Sequence, residues 1–365
     1  MAAPALVERG PTERLRFLDA VRGFALFLMI VNHTGRWWQD GSMGWPRYNT
    51  IYLSMAIGAP LFLFLVGFCL PLSYARRTTS GSGGATLDGA VAGKFFQRGA
   101  RLILASWLLN FLVFHDEPFW EGGVLQTIGL GIIFGFPPML LLHRRVARYL
   151  LMTLAVALYV AFSLSYHAIA AWLPAHPVIA RVFFFEFPPW PWISLVWIGL
   201  ALGWVWAHQE TSERRARYLW LMTAAGVVGL GAFAVWDRAH GTPIHLSLAF
   251  KRDFILNNHW TARGVTNFLC FGSVFCLLGL AYYLVEVRRL PAGWLVILGR
   301  TSLMLYFLHH FIVFSLTSEW LGWKFNSWWQ YWLANAVLMG VLVYIGKLWL
   351  GIRSLASRRL QPALR

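Results

Sequence analysis

Acid is the scarce ingredient of this chain. Aspartate and glutamate number 15 against 31 lysines and arginines, a formal charge of +16 over 365 residues. Charged side chains make up only 13% of the total, about half the usual soluble fraction. A large soluble helical core would need far more polar surface, so that class is excluded. Cysteine is nearly missing. Cys69, Cys270 and Cys276 all lie in apolar segments without CxxC spacing, so they read as small core residues rather than a disulfide framework or a thiolate metal site. A cleavable leader is not expected either. MAAPALVERGPTERLR places charge and proline ahead of the apolar run, with no cleavage site after it, which leaves targeting to the first helix itself. Nucleic acid is a poor partner for the positive charge. The basic residues fall in short clusters between apolar segments, as the positive-inside rule requires, and anionic lipid is the simpler attraction.

What is abundant is apolar and aromatic. Apolar residues reach 58%, with 21 tryptophans and 28 phenylalanines, and mean hydropathy is +0.56. Several windows near twenty residues lack charge, enough to cross a bilayer. The expected fold class is all-α, a polytopic membrane protein of about ten transmembrane helices with both termini cytoplasmic. The spans fall at about Phe17–Gly35, Thr50–Tyr74, Ala100–Phe114, Val124–Leu142, Tyr149–Leu173, Ile193–Ala207, Leu219–Trp236, Thr266–Val285, Trp294–Leu316 and Tyr331–Leu350. Basic clusters such as Arg76-Arg77, Arg144-Arg145, Arg214-Arg215, Arg288-Arg289 and Arg358-Arg359 then alternate correctly with the inner face. Residues 1–15 form a cytoplasmic tail, 16–352 the membrane domain and 353–365 a basic tail. The segment Arg76–Ala90, rich in glycine and serine, is the expected flexible loop, and the residues through Arg181 to PPWPW a connecting one. No fixed-period repeat is visible.

The stretch RFLDAVRGFALFLMIVNHTG, Arg16–Gly35, organises the rest. Asp19 and Arg22 are three apart and share one helix face. Phe24 to Val31 is uninterrupted and apolar, and His33 follows. Arg22 and His33 are separated by about 16 Å along a helix axis, so they sit at different membrane depths. A histidine at the outer end of a span is either a helix-end group bonded to a loop carbonyl or a general base. Asn32 points about 100° away from it. Arg22 either pairs structurally with Asp19 or holds phosphate of a donor entering from the inner side. A second polar helix, LGRTSLMLYFLHHF, repeats this polarity with Arg300 inside and His309-His310 outside. Ser302, Tyr306 and His310 share one face, and His309 projects differently. Interhelical hydrogen bonding is the structural alternative there. Glu186, Asp116 and Glu117 are acids that could orient His33, and Gln126 either binds substrate or satisfies a backbone group. His240, His245 and His259 lack a zinc spacing, and no metal is expected.

Five motifs in order carry a family resemblance. RFLDAVRGFALFLMIVNH, GAPLFLFLVGFCLPLSYARR, EGGVLQTIGLG, FPPWPWISLVWIGLALGW and LGRTSLMLYFLHH span about Arg16–Phe311. Together they resemble integral-membrane acyltransferases, most of all the heparan-alpha-glucosaminide N-acetyltransferase-like proteins of bacteria. OpgC-type glucan succinyltransferases and acyltransferase-3-type O-acyltransferases belong to the wider group. The resemblance implies transfer of an acyl group from a cytoplasmic donor, acetyl-CoA or another acyl-CoA, to a carbohydrate across the membrane. It implies catalytic roles for His33 and for His310 or His309, and a donor-binding role for Arg22. One departure bears on mechanism. The lysosomal members place their important histidine in the loop after helix 1, whereas this chain has no histidine between Thr34 and Asn110.

The expected function is transfer of an acetyl or other small acyl group to a cell-envelope carbohydrate, in a bacterial cytoplasmic membrane. His33 acts as general base, with His310 as second catalytic histidine. Arg22 and Arg300 bind the acyl-CoA, and Tyr306, Asn32 or Gln126 donate to the oxyanion or, with Glu186, contact substrate. The expected partners are membrane lipid and an envelope glycan or glycolipid, with homo-oligomerisation left open. A transporter of a small polar metabolite is the first alternative and a structural or assembly protein the second.

Overall fold

The computed structural model describes residues 15–78, 89–185, 187–239, 250–253, 259–262 and 266–360. Its elements are α1 (Arg16–Trp37), α2 (Gly44–Thr78), α3 (Gly89–Val113), α4 (Val124–Leu141), α5 (Arg145–Trp172), α6 (Pro177–Phe184), α7 (Pro189–Ala207), α8 (Ser212–Ala239), α9 (Thr266–Ala281), α10 (Gly293–Arg300), α11 (Ser302–His310) and α12 (Trp328–Leu360). Two π-helical segments, Tyr282–Val287 and Phe311–Trp320, continue α9 and α11. A two-stranded antiparallel hairpin pairs Phe250–Asp253 with His259–Ala262. The helical class is therefore as expected, with that small hairpin added. Residues 79–88, Glu186, His240 and His245 lie outside the described residues.

Among the described residues eight helices are long and apolar enough to cross a membrane, or nine if the bent α10–α11 pair counts as one. Every expected span has a helix. The difference from ten lies in α3, which carries Lys94, Arg98 and Arg101 in its first half, so its uncharged part from Leu102 to Val113 falls short of the roughly 20 residues a span needs. Side chains such as Leu164, Val228 and Val235 are well exposed, a surface suited to lipid rather than water. The connection through Arg181 contains a helix, α6, which sequence reading missed. Pro177 opens it at a position where no amide hydrogen is needed.

The chain divides into two compact units, one built on Pro60–Cys276 and the other on Leu15–Ala59 with Leu277–Arg365. In the first, α2 and α7 meet through glycines. Gly67 faces the Val196 carbonyl, Gly199 that of Phe64 and Gly203 that of Phe68, so a Cβ at any of them would strike backbone. Small residues of this kind bring membrane helices close enough for dispersion contacts to hold them.

In the second unit α1 is the central post. Leu26, Ile30, Leu298, Leu305, Tyr331, Leu338 and Leu342 form its buried core. The largest departure from expectation is here. Trp294–Leu316 reads as one straight span, but the chain bends by 83° between α10 and α11. Thr301 is the elbow, with φ −111° and ψ 13°, and its hydroxyl donates back to the Ile297 carbonyl at 2.7 Å. Threonine and serine compete with the helix in this way. Contacts along α1 show the consequence. Trp294 packs on Phe27, Leu295 faces Gly23 and Gly299 faces Asp19, so α10 runs toward the start of α1. His309 and Phe314 then meet His33, so α11 and its π-helical continuation run back toward the end of α1. α10 and α11 thus run in opposite senses along α1. Gly346 of α12 makes room for the elbow, since a Cβ there would lie 2.8 Å from Ile297 and 3.0 Å from the Thr301 hydroxyl.

Candidate active site

Both ends of α1 are tied down. At its start the Phe17 amide donates to Glu286 Oε1 at 3.1 Å, a carboxylate at a helix N-terminus, where the dipole favours it. At its other end Thr34 Oγ1 donates to Asn335 Oδ1 at 2.8 Å and lies 3.1 Å from the Tyr331 hydroxyl. Trp38 Nε1 donates to Thr317 Oγ1 at 2.6 Å. Lys324 Nζ donates to the Trp37 carbonyl at 2.6 Å, and the Phe325 amide to that of Trp38 at 2.6 Å. These bonds fix the rotation of α1, and therefore the direction in which His33 points.

His33 points at the two late histidines. Its Nδ1 lies 3.0 Å from His309 Nε2, and its ring centroid is 5.2 Å from that of His309 and 4.6 Å from that of His310. Both late rings are buried, while His33 is partly exposed. Successive positions on one helix normally diverge by about 100°. Here each late histidine keeps its Nδ1 on the carbonyl one turn back, His309 on Leu305 at 2.9 Å and His310 on Tyr306 at 2.7 Å. A carbonyl oxygen only accepts, so each Nδ1 carries the hydrogen and each neutral ring presents Nε2 as a lone pair. His309 Nε2 then accepts from His33 Nδ1. That leaves the lone pair of the His33 ring on Nε2, the tautomer of a general base. Tyr306 completes the wall, with its ring 4.3 Å from that of His310, and Phe314 stacks on His310 at 5.3 Å.

The remaining sequence candidates fall into separate settings. Asn32 is buried beside His33 on α1. Arg22 pairs with Asp19 at 3.3 Å, the i,i+3 pair expected of this face, while 25% of its side chain stays exposed. Arg300 is exposed at the end of α10. Arg22 and Arg300 each sit next to a glycine of the α1–α10 crossing, Gly23 and Gly299. Gln126 belongs to the other unit. Its Oε1 accepts from Trp107 at 3.3 Å and its Nε2 donates to the Val182 carbonyl at 2.6 Å, which satisfies a backbone group of α6. Glu117 bonds Arg181 at 3.2 Å, and buried Glu121 bonds the same guanidinium at 2.9 Å. Glu186 lies outside the described residues.

Sequence reading preferred His310 and kept His309 as the alternative late histidine, noting that it projects differently. Only the contact with α1 reveals it as the partner of His33. It also passed over Glu286, which sat in a basic loop, and the Thr34–Tyr331–Asn335 cluster, whose members are about 300 residues apart. Gln39 and Ser315 are buried with no hydrogen-bond partner on their side chains among the described residues. Orphaned buried polar groups of this kind call for an unseen partner.

The profile of the heparan-alpha-glucosaminide N-acetyltransferase catalytic domain matches residues 14–236, more than half the chain. This protein belongs to that family. Membership agrees with the helical, membrane-spanning architecture and with the resemblance carried by the sequence motifs. The matched heparan-alpha-glucosaminide N-acetyltransferase segment contains α1 and His33 but ends before α11, so the histidines that touch His33 lie beyond it. Comparison with individually curated proteins finds no match.

Proposed function

We propose that this multi-pass membrane acetyltransferase-family protein moves an acetyl or other small acyl group from acyl-CoA to a carbohydrate of the cell envelope, in a bacterial cytoplasmic membrane. The observation that carries the proposal is the hydrogen bond from His33 Nδ1 to His309 Nε2, found on the helix where the family match begins. It leaves His33 Nε2 free to take a proton from an acceptor hydroxyl or amine. The acceptor oxygen or nitrogen then attacks the thioester carbonyl, and the thiolate of CoA leaves after the tetrahedral oxyanion collapses. Asn32, next to His33, and Tyr306, one turn before His309 and His310, stabilise that oxyanion. Arg22 and Arg300 hold phosphates of the donor at the opposite end of α1.

The test is incubation of purified protein with radiolabelled acetyl-CoA or succinyl-CoA and an envelope glycan fraction, followed by carbohydrate analysis. Label in carbohydrate with release of free CoA is the expected result. The elbow at Thr301 also suits a transporter, because broken helices line transport paths. Substrate flux across vesicles without thioester consumption would decide for that reading instead.

A further inference from the structure

We infer that His33, His309 and His310 form a three-nitrogen site for a borderline-soft divalent transition ion of the zinc, cobalt or copper class, and that the ion switches the site off. Three features of the cluster point there. The ligand atoms of the three rings lie within 4.8 Å of one another. The His33 Nδ1 to His309 Nε2 separation of 3.0 Å is the bite of two imidazoles on one ion, since metal–nitrogen bonds of about 2.0–2.1 Å place neighbouring ligands roughly 3–3.5 Å apart. The late histidines also have the surroundings of metal ligands. Each gives its Nδ1 hydrogen to a backbone carbonyl, at 2.9 Å and 2.7 Å, which fixes the tautomer and aims Nε2. Imidazole without carboxylate selects zinc, copper or cobalt over magnesium and calcium. The partly exposed His33 ring is the way in, and its rotation closes the wider spacing to His310.

Binding carries a consequence for chemistry. To ligate through Nδ1, His33 must shift its hydrogen from Nδ1 to Nε2, with no net change in protons. The Nε2 lone pair that serves as base is thereby lost. Metal and acyl transfer are then mutually exclusive at this cluster. The inhibition rests on the acyl-transfer reading, whereas the binding does not.

The experiment uses full-length protein in detergent, without a histidine tag and stripped with chelator. Titration with cobalt(II) is followed by visible absorption, and copper(II) spin resonance on the unmutated protein counts nitrogen ligands without relying on any variant folding. The expected result is one ion per chain, three nitrogens, and at least about tenfold weaker binding in each of His309→Gln and His310→Gln. His208→Ala is the control. That exposed ring makes the same Nδ1 contact with the carbonyl one turn back, Trp204, at 2.8 Å, but it stands outside the histidine cluster, so its loss leaves binding unchanged. Absence of a stoichiometric ion in the unmutated protein, or undiminished binding by His309→Gln, overturns the site. Binding without inhibition by zinc(II) leaves the metal site standing and overturns the switch. Binding by a protein that shows no acyl transfer under any condition overturns the switch too, and counts against the catalytic reading rather than the site.

Discussion

The two ends of α1 are held by different balances of polar bonding and glycine contact. Around His33 the fastenings are long-range and polar. His33 bonds His309, Thr34 bonds Tyr331 and Asn335, and Trp38 bonds Thr317, all across 276 to 301 residues of sequence. Around Asp19 the polar contacts are Arg22 reaching back three residues and the Phe17 amide on Glu286 across 269 residues, and the closest approach of helices is made by Gly23 and Gly299. Polar bonds orient side chains, as a site that must hold a base in one tautomer requires. Glycine contacts set distance, and Arg300 beside Gly299 is exposed. The proposed division of labour, with chemistry at one end and donor binding at the other, follows from that difference.

The comparison can be broken first at the chemical end. His33→Ala is expected to lower kcat by about 10²- to 10⁴-fold, the usual contribution of a general base, with the thermal unfolding temperature nearly unchanged because this ring is partly exposed. His309→Ala removes only the acceptor that orients His33, and kcat should fall by about tenfold, less than for His33→Ala.

At the donor end Arg300→Gln should raise KM for acyl-CoA by about tenfold and leave kcat within about twofold, the pattern of lost ground-state binding. An equal loss in kcat would move Arg300 into the chemistry and erase the contrast between the ends. Gly299→Leu tests the packing there. Its side chain would meet the Asp19 carbonyl, and overpacking should cost about 1–3 kcal/mol in unfolding measurements. Gln39→Leu sharpens the account most gently. Loss of a buried amide that is unpaired among the described residues should leave unfolding stability within about 1 kcal/mol.

The sequence made legible whatever repeats locally. Uncharged windows gave every expected span a matching helix, and the spacing of Asp19 and Arg22 predicted their pair. The family motifs were readable in the same way, and so was His33 at the end of an apolar run. The elbow at Thr301 was not, because LGRTSLMLYF carries no proline and its polar Arg-Thr-Ser run also suits the inner end of a straight span. Its bend is fitted against Gly346, an element about 45 residues on. His309 was hidden for a related reason. Helical phase points it about 100° away from its neighbour His310, and only docking of α11 on α1 brings its Nε2 to His33. Gln126 shows the reverse case. A polar residue inside an apolar helix read either as a substrate ligand or as a partner for a backbone group, and in the structure its Nε2 donates to the Val182 carbonyl.

The most direct test of the central claim is the steady-state rate of acyl transfer by purified His33→Ala beside the unmutated protein, with acetyl-CoA and acceptor both saturating. If the lone pair on that ring removes the acceptor's proton, turnover falls at least about 100-fold while the variant elutes and melts as the native protein does. Turnover within about threefold of the native rate would contradict the assignment and place the base elsewhere.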